Sequence, residues 1–248
     1  MTELVHLTID GDVATITLDS EHNRNALSRQ LVTELGDHLD TAMTDEGSKV
    51  VVIRSAHRVF CSGADLSEAS ADGMVQGAEA LVGLQRQIAA GPKPVVVVLA
   101  GPVRAGGLGL VGAADLVVAA ESVTFALTEV RLGLAPAVIS LSLLPRLHPR
   151  AAADLFLTAR QFGAVEAASL GLVTRAVPDD DLEAAVEAVL ADLAAGYPQG
   201  LRETKALLND DLVRRIDERG VQVAAQSAEL FGSDEAREAM LAFLSRKK

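Results

Sequence analysis

The chain contains a single cysteine, Cys61, and no tryptophan, and aromatic residues make up only 3% of it. One thiol cannot close an internal disulfide, which fits a reducing compartment. With 49% hydrophobic residues and so few rings, the core must be built from Ala, Val and Leu. Basic residues are also scarce. The 22 Lys and Arg against 34 Asp and Glu leave a formal net charge of -12 and a pI near 4.8, which argues against nucleic acid or an anionic membrane as partner. An anionic small ligand stays compatible if basic side chains gather locally. No apolar run exceeds about ten residues, against roughly 20 needed to cross a bilayer. The N-terminal Met1 to His6 has neither the basic nor the apolar region of a secretory leader. A soluble, cytoplasmic protein without a membrane partner is expected, and 248 residues suit one large domain.

Residues 4 to 18 alternate apolar and polar about Asp10-Gly11-Asp12, a hairpin signature. A polar loop from Glu21 leads to Ser28, which is placed to cap a helix reaching about Met43. Lys49 to Ser55 reads as a buried strand feeding the loop R-V-F-C-S-G-A-D-L from Arg58 to Leu66. Residues 67 to 91 carry Gly73, Gly77 and Gly83 and read as a mobile segment leading into a helix. The four valines from Val95 form a second buried strand, followed by five glycines between Gly101 and Gly112. Short strands are expected at 115 to 120, 123 to 127 and 171 to 177, with helices dominating from Ala137 onward and a last helix running from Ser233 to Lys248. The sequence shows no repeat of fixed period.

Gly107-x-Gly109-x-x-Gly112 matches a dinucleotide-binding pattern, with Glu129 about 20 residues further on. In that motif the first glycine closes the turn directly after the strand, whereas Gly101 to Ala105 intervene here. Glycines that merely allow close helix packing are an alternative. No G-x-S-x-G elbow occurs, and no His or Cys/His cluster has ligand spacing, so no metal is expected. Cys61 reads as a small buried residue. A third reading joins the two glycine-bearing loops: if Ala64 and Gly106 aim backbone N–H groups at one point, they form an oxyanion hole. Glu129 follows Phe125-Ala126-Leu127 and precedes Val130 and Leu132, so burial would raise its pKa and suit it to general acid/base work. Taken alone, Glu129 reads first as an exposed or ion-paired carboxylate next to Arg131.

R-N-A-L-S (24 to 28), F-C-S-G-A-D-L (60 to 66), K-P-V-V-V-V-L-A-G-P-V-R-A-G-G-L-G-L (93 to 110), F-A-L-T-E-V-R-L-G-L-A-P (125 to 136) and A-F-L-S-R-K (242 to 247) occur in that order. Together they resemble the successive motifs of the enoyl-CoA hydratase/isomerase (crotonase) superfamily. The resemblance implies an α/β fold, a crotonase-like spiral of ββα units over 1 to 195 with a C-terminal helical trimerisation region over 196 to 248. It implies a homotrimer or a hexamer built as a dimer of trimers. The substrate would be an acyl-CoA thioester whose carbonyl is held by Ala64 and Gly106, with coenzyme A as part of the substrate and no separate cofactor. Arg24, Ala26 and Leu27, with Ser62, Gly63, Asp65 and Leu66, would line the coenzyme A path.

One position departs from the family pattern. Hydratases of that type carry two glutamates; Glu129 matches the second, and Gly109 stands where the first would be. Hydration divides naturally between two carboxylates, while moving a double bond needs one carrier, which favours an isomerase. The wording around Gly107 to Asp115 and Leu127 to Ser140 is closer to bacterial members acting as hydratases, some of them on branched glutaconyl-type thioesters. Hydration of a 2-enoyl-CoA is therefore placed first, Δ3,Δ2-enoyl-CoA isomerisation second, and an acyl-CoA-binding homologue without turnover third.

Overall fold

The computed structural model describes residues 2–68 and 71–245, without the side chains of residues 71, 72 and 243–245. Its strands are β1 (Val5–Asp10), β2 (Val13–Leu18), β3 (Val50–Ser55), β4 (Val95–Leu99), β5 (Val103–Arg104), β6 (Leu116–Ala120), β7 (Thr124–Ala126), β8 (Phe162–Gly163) and β9 (Arg175–Val177). Its helices are α1 (Arg29–Thr44), α2 (Ala71–Ala90), α3 (Gly107–Ala113), α4 (Ser140–Arg146), α5 (Pro149–Thr158), α6 (Ala164–Ser169), α7 (Leu182–Ala194), α8 (Pro198–Phe231) and α9 (Asp234–Ser245).

The main sheet has the order β1-β2-β3-β4-β6-β9; β1 and β2 pair antiparallel, and every later pair is parallel. Continuous valine runs form its centre because a parallel strand is covered on both faces: every residue of β4 is buried, as are the first four of β3. A second, smaller layer runs beside it. Leu27 bridges Ala64, Cys61 bridges Val103, β5 pairs with β7, and β7 with β8.

The chain thus repeats one path: a main-sheet strand, a short extended piece in the second layer, then a helix. The successive units are β2, Leu27 and α1; β3, Cys61 to Ala64 and α2; β4, β5 and α3; β6, β7 and α4. Their main strands begin at Val13, Val50, Val95 and Leu116. That spacing is too uneven to leave a periodic trace in the sequence.

The hairpin and the cap of α1 form as expected, with Ser28 Oγ accepting from Leu31 N at 3.3 Å. The segment after residue 67 differs from expectation. Apart from residues 69 and 70, which lie outside the described residues, it is a short turn at Leu66–Glu68 followed by the continuous helix α2. Its glycines are tolerated because packing, not propensity, holds the helix: Ala78, Leu81, Leu84 and Ile88 are buried along one side. Only Arg175–Val177 of the expected strand at 171 to 177 is extended. The last helix begins after Ser233, whose Oγ accepts from Ala236 N at 3.2 Å; its expected end at Arg246 to Lys248 lies outside the described residues.

The 34-residue helix α8 runs antiparallel to α2. Lys205 and Asn209 reach the C-terminal end of α2 through the carbonyls of Ile88 and Ala89, Asp217 pairs with Arg86, and Gly220 packs against Val82. Lys205 is buried, and burial pushes its pKa down while Asp115 at 2.9 Å opposes that shift. The carbonyl oxygens of Ile88 and Lys93 take two further Nζ protons at 2.6 and 2.7 Å. A buried ammonium satisfied in this way pins α8 to the sheet, because removing Asp115 would leave its charge without a counter-ion.

Candidate active site

Backbone hydrogen bonds stitch the second-layer pieces together in unit order. Ser62 N donates to Arg24 O at 3.1 Å and Leu27 N to Gly63 O at 2.8 Å; Arg104 N donates to Cys61 O at 2.9 Å, and Ala105 N to Ala126 O at 3.0 Å. The residues leaving these pieces therefore meet: Arg24, Ala26 and Leu27 from the first unit, Ala64 from the second, Gly106 from the third and Glu129 from the fourth. They border a cavity of about 470 Å³.

Arg24 and Asn25 both adopt left-handed backbone, with φ of 59° and 52°. The fully buried Asn25 holds this turn, accepting from Ser20 N at 2.7 Å and donating to Ser55 Oγ at 2.8 Å and Val59 O at 3.1 Å. Arg24, Ala26 and Leu27 line the cavity, as do Ser62, Asp65 and Leu66. Burial raises the pKa of Asp65, but hydrogen bonds from Ser67 and Asn23 outweigh it and hold the carboxyl below the usual range.

Gly63 is not itself among the lining residues; it is the joint that turns Ala64 inward. Its φ of +98° is left-handed, and a Cβ there would come within 2.9 Å of Ala105 Cβ. Ala64 N lies close to Gly106, at 3.9 Å from where a Cβ on Gly106 would sit. Among the described residues, neither Ala64 N–H nor Gly106 N–H has a hydrogen-bond acceptor. Two free donors on one cavity wall can receive an oxygen that gains negative charge.

Glu129 opens the short turn Glu129–Leu132 that follows β7. Its Oε2 is shielded from solvent and has no hydrogen-bond partner among the described residues, and Arg131 is exposed and forms no ion pair with it. Burial pushes the pKa to about 7, with only its own backbone N–H opposing. A carboxyl poised there can both take and return a proton near neutrality.

Gly109, the other position singled out, does not line the cavity. A Cβ on it would meet Ile139 Cγ2 at 3.0 Å and Gln85 Cδ at 3.4 Å. Gln85 is fully buried and committed elsewhere: Nε2 donates to Leu81 O and Val138 O, each at 3.3 Å, and Oε1 accepts from Ser142 Oγ at 2.7 Å. Ser142 Oγ also reaches Gly109 O at 3.1 Å. No carboxylate stands in for the missing glutamate among these neighbours. The glycine pattern around it serves packing, since every residue of α3 is buried. Cys61 is likewise a core residue, its thiol pushed up to about 12 by burial.

Sequence reasoning missed Leu81, Leu134 and Ile139 on the walls, and Ser227 and Phe231 from the end of α8. Their apolar character looked like ordinary core, and no local signal ties α8 to this cavity. Among the described residues, no group of three or more His, Cys, Asp or Glu is arranged to hold a metal, and no helix is long and apolar enough to cross a membrane.

Residues 8–248 match the family model described as enoyl-CoA hydratase/isomerase. The crystal structure of an enoyl-CoA hydratase from Mycobacterium avium is 45% identical, with a TM-score of 0.92 over 99% of this chain and 98% of that one. A Bacillus subtilis (strain 168) protein named "Probable enoyl-CoA hydratase" is 32% identical over 98% of this chain and 96% of the relative. A methylmalonyl-CoA decarboxylase in complex with 2-nitronate-propionyl-CoA shares the fold alone, at 22% identity and a TM-score of 0.85 over 99% of this chain and 97% of that one. The unit-by-unit path, the C-terminal helices packed on it and a match that spans nearly the whole chain agree, and the chain belongs to the enoyl-CoA hydratase/isomerase family, with the crotonase fold.

Proposed function

We propose that the protein hydrates a 2-enoyl-CoA, using Ala64 N–H and Gly106 N–H as the oxyanion hole and Glu129 as the only proton carrier. The observation that carries this reading is the Glu129 carboxyl: shielded, unpartnered at Oε2, held near pKa 7, and open to the same cavity as the two free N–H groups. The thioester oxygen accepts from both donors, which polarises the conjugated double bond. Glu129 takes a proton from water as the hydroxyl adds to C3; the electron pair moves to the thioester oxygen as an enolate. The same carboxyl then returns that proton to C2, so one residue serves as base and then acid in two steps.

Arg24 supplies positive charge for the coenzyme A phosphates on an otherwise acidic protein, and Ala26, Leu27, Ser62, Asp65 and Leu66 form the rest of that path, with Gly63 as the joint between Ser62 and Ala64. Coenzyme A enters as part of the substrate, and the chemistry requires no further cofactor. The working form is a cytoplasmic homotrimer or a dimer of trimers assembled through the C-terminal helices.

A second reading, Δ3,Δ2-enoyl-CoA isomerisation, is favoured by the packed surroundings of Gly109, which leave no second group to hold a water. One assay separates the readings. The purified protein is incubated with a 2-enoyl-CoA and with its 3-enoyl isomer, and the products are weighed. Gain of one water supports hydration, an unchanged mass with a shifted double bond replaces it with isomerisation, and binding without turnover leaves an acyl-CoA-binding homologue.

A further inference from the structure

Strand β5 runs into the loop that carries Gly106, and β7 runs into the turn that carries Glu129, yet the ladder between them is short: Val103 beside Phe125 and Arg104 beside Ala126. A ladder that short fixes its own register weakly. The Arg104 side chain adds a second fastening. Its Nη1 donates to Thr124 O at 2.6 Å and Val103 O at 2.9 Å, and its Nη2 to Thr124 Oγ1 at 2.9 Å and Gln161 Oε1 at 3.3 Å. Its backbone N–H donates to Cys61 O, in the loop that leads to Ala64. One residue thus touches the pieces that carry Ala64, Gly106 and Glu129. The guanidinium is half-buried, burial pushes its pKa down, and no carboxylate among the described residues offsets that shift. Its value lies in geometry, because a planar fork joins two strands in one orientation.

What it fastens is strained. Ala105, the next residue, has a left-handed φ of 45°, which an L side chain keeps only where the surroundings over-determine it. Ala105 N donates to Ala126 O at 3.0 Å and Ala105 O accepts from Leu108 N at 2.9 Å, so the turn is clamped at both ends and the β5–β7 register sets the first clamp. That turn decides where Gly106 N–H points. Ala105 and Gly106 line the cavity, and Arg104 does not.

We infer that Arg104 is a positioning residue: it locks β5 to β7 and so fixes how the Gly106 donor stands relative to the Glu129 carboxyl. The inference rests on the roles given to those two groups under the proposed function. A thioester would still bind without the lock, with its carbonyl less well seated.

The test compares the full-length parent with Arg104→Lys, Arg104→Gln and Thr124→Val. The probe is butyryl-CoA, isotope-labelled at the carbonyl carbon; infrared difference spectra give the stretch of the bound carbonyl, which two aligned donors move to lower frequency. Turnover is measured on whichever of the 2-enoyl and 3-enoyl thioesters the parent converts. Arg104→Gln should lose about 10–100-fold in kcat, with KM within about threefold of the parent, and its bound carbonyl should move back toward the free value. Arg104→Lys, with one ammonium for the fork, should fall between, and Thr124→Val, which keeps Thr124 O, should lose least. An unchanged kcat and carbonyl stretch in Arg104→Gln, with only the urea midpoint lowered, would overturn the inference and leave Arg104 a structural tie. If Arg104→Gln does not fold, the same two readouts on Arg104→Lys and Thr124→Val decide it. A parent that binds butyryl-CoA with no carbonyl shift would instead overturn the oxyanion hole, and a parent that does not bind it would overturn the acyl-CoA reading.

Discussion

Glu129 and Gly109 belong to neighbouring turns of one spiral and have opposite surroundings. Glu129 brings a carboxyl into an apolar pocket and is given no partner for Oε2. At Gly109 every nearby polar group is already satisfied, and the space a side chain would use is filled by Ile139 and Gln85. One turn stores an unmet electrostatic demand; the other is finished packing. On the proposed reading, Glu129 is then the single proton carrier, and that contrast can be pressed experimentally from either side.

The largest effect is expected at Glu129. Glu129→Gln keeps the shape and removes the base, so kcat should fall by about 10²–10⁴-fold while acyl-CoA binding stays within a few-fold of the parent. Single-turnover kinetics alongside calorimetric binding would measure both. A loss smaller than tenfold would mean that another group carries the proton and that the contrast has been drawn at the wrong residue.

The same carboxyl should appear in the pH dependence of stability. Burial raises its pKa from 4.5 to about 7 in the folded protein, so between these values the unfolded chain has released the proton and the folded chain still holds it. Fewer protons are then bound by the unfolded state, and folding stability falls as pH rises through that window. Relative to Glu129→Gln, which cannot ionise, the parent should lose up to about 3 kcal/mol between pH 4.5 and 7 and nothing further above it. Urea melts of the two proteins at pH 5 and pH 8 would show this; a stability difference independent of pH would place Glu129 in water. Activity should follow the opposite limb, rising toward a plateau above pH 7 as the base ionises.

On the Gly109 side, Gln85→Leu removes the amide that joins α2, Val138 O and Ser142. Val138 O then keeps only the bond from Leu141 N at 3.3 Å, and Ser142 Oγ only backbone carbonyls, so the variant should lose about 0.5–1.5 kcal/mol. The KM for an acyl thioester should rise more than kcat falls, because Leu81 and Val138, whose carbonyls Gln85 holds, both line the cavity. Equal stability of parent and variant would show that the amide is not a clamp.

How much of this was legible in the sequence follows from the range of each interaction. The β1–β2 hairpin, the Ser28 cap and the valine strands depend on residues a few positions apart and could be read directly. The Ala64–Gly106 pairing joins two loops some forty residues apart, and only glycines after buried strands hinted at it. The uneven unit starts hid the spiral, and weak periodicity made the first turns of α2 look like a mobile segment. Gln85 gave no warning: a lone glutamine in a helix is normally a solvated side chain, and only burial against Ser142 reveals its work. Lys205 is similar, since nothing in K-A-L-L-N-D-D announces a buried ammonium bonded to carbonyls more than a hundred residues away.

The smallest expected effect tests whether the Gly109 side is closed by necessity or by habit. Gly109 sits in helical backbone, so alanine there would gain about 0.8–1 kcal/mol of helix propensity. Against this, its Cβ would stand 3.0 Å from Ile139 Cγ2 and 3.4 Å from Gln85 Cδ; the first contact is tighter than an ordinary carbon–carbon separation of roughly 3.5–4.0 Å. Ile139 is 2% exposed, so its methyl can yield only by pressing on other core atoms, at about 1–2 kcal/mol. Gly109→Ala should therefore be destabilised by less than about 1 kcal/mol, a fall in Tm of roughly 2–4 °C at most for a chain of this size. A loss above about 2 kcal/mol would mean that Ile139 and Gln85 are rigid and the fold cannot admit any side chain at 109. A net gain would mean that Ile139 moves freely, in which case Gly109→Glu is within reach of this backbone and the single-carboxylate site is one substitution from a pair.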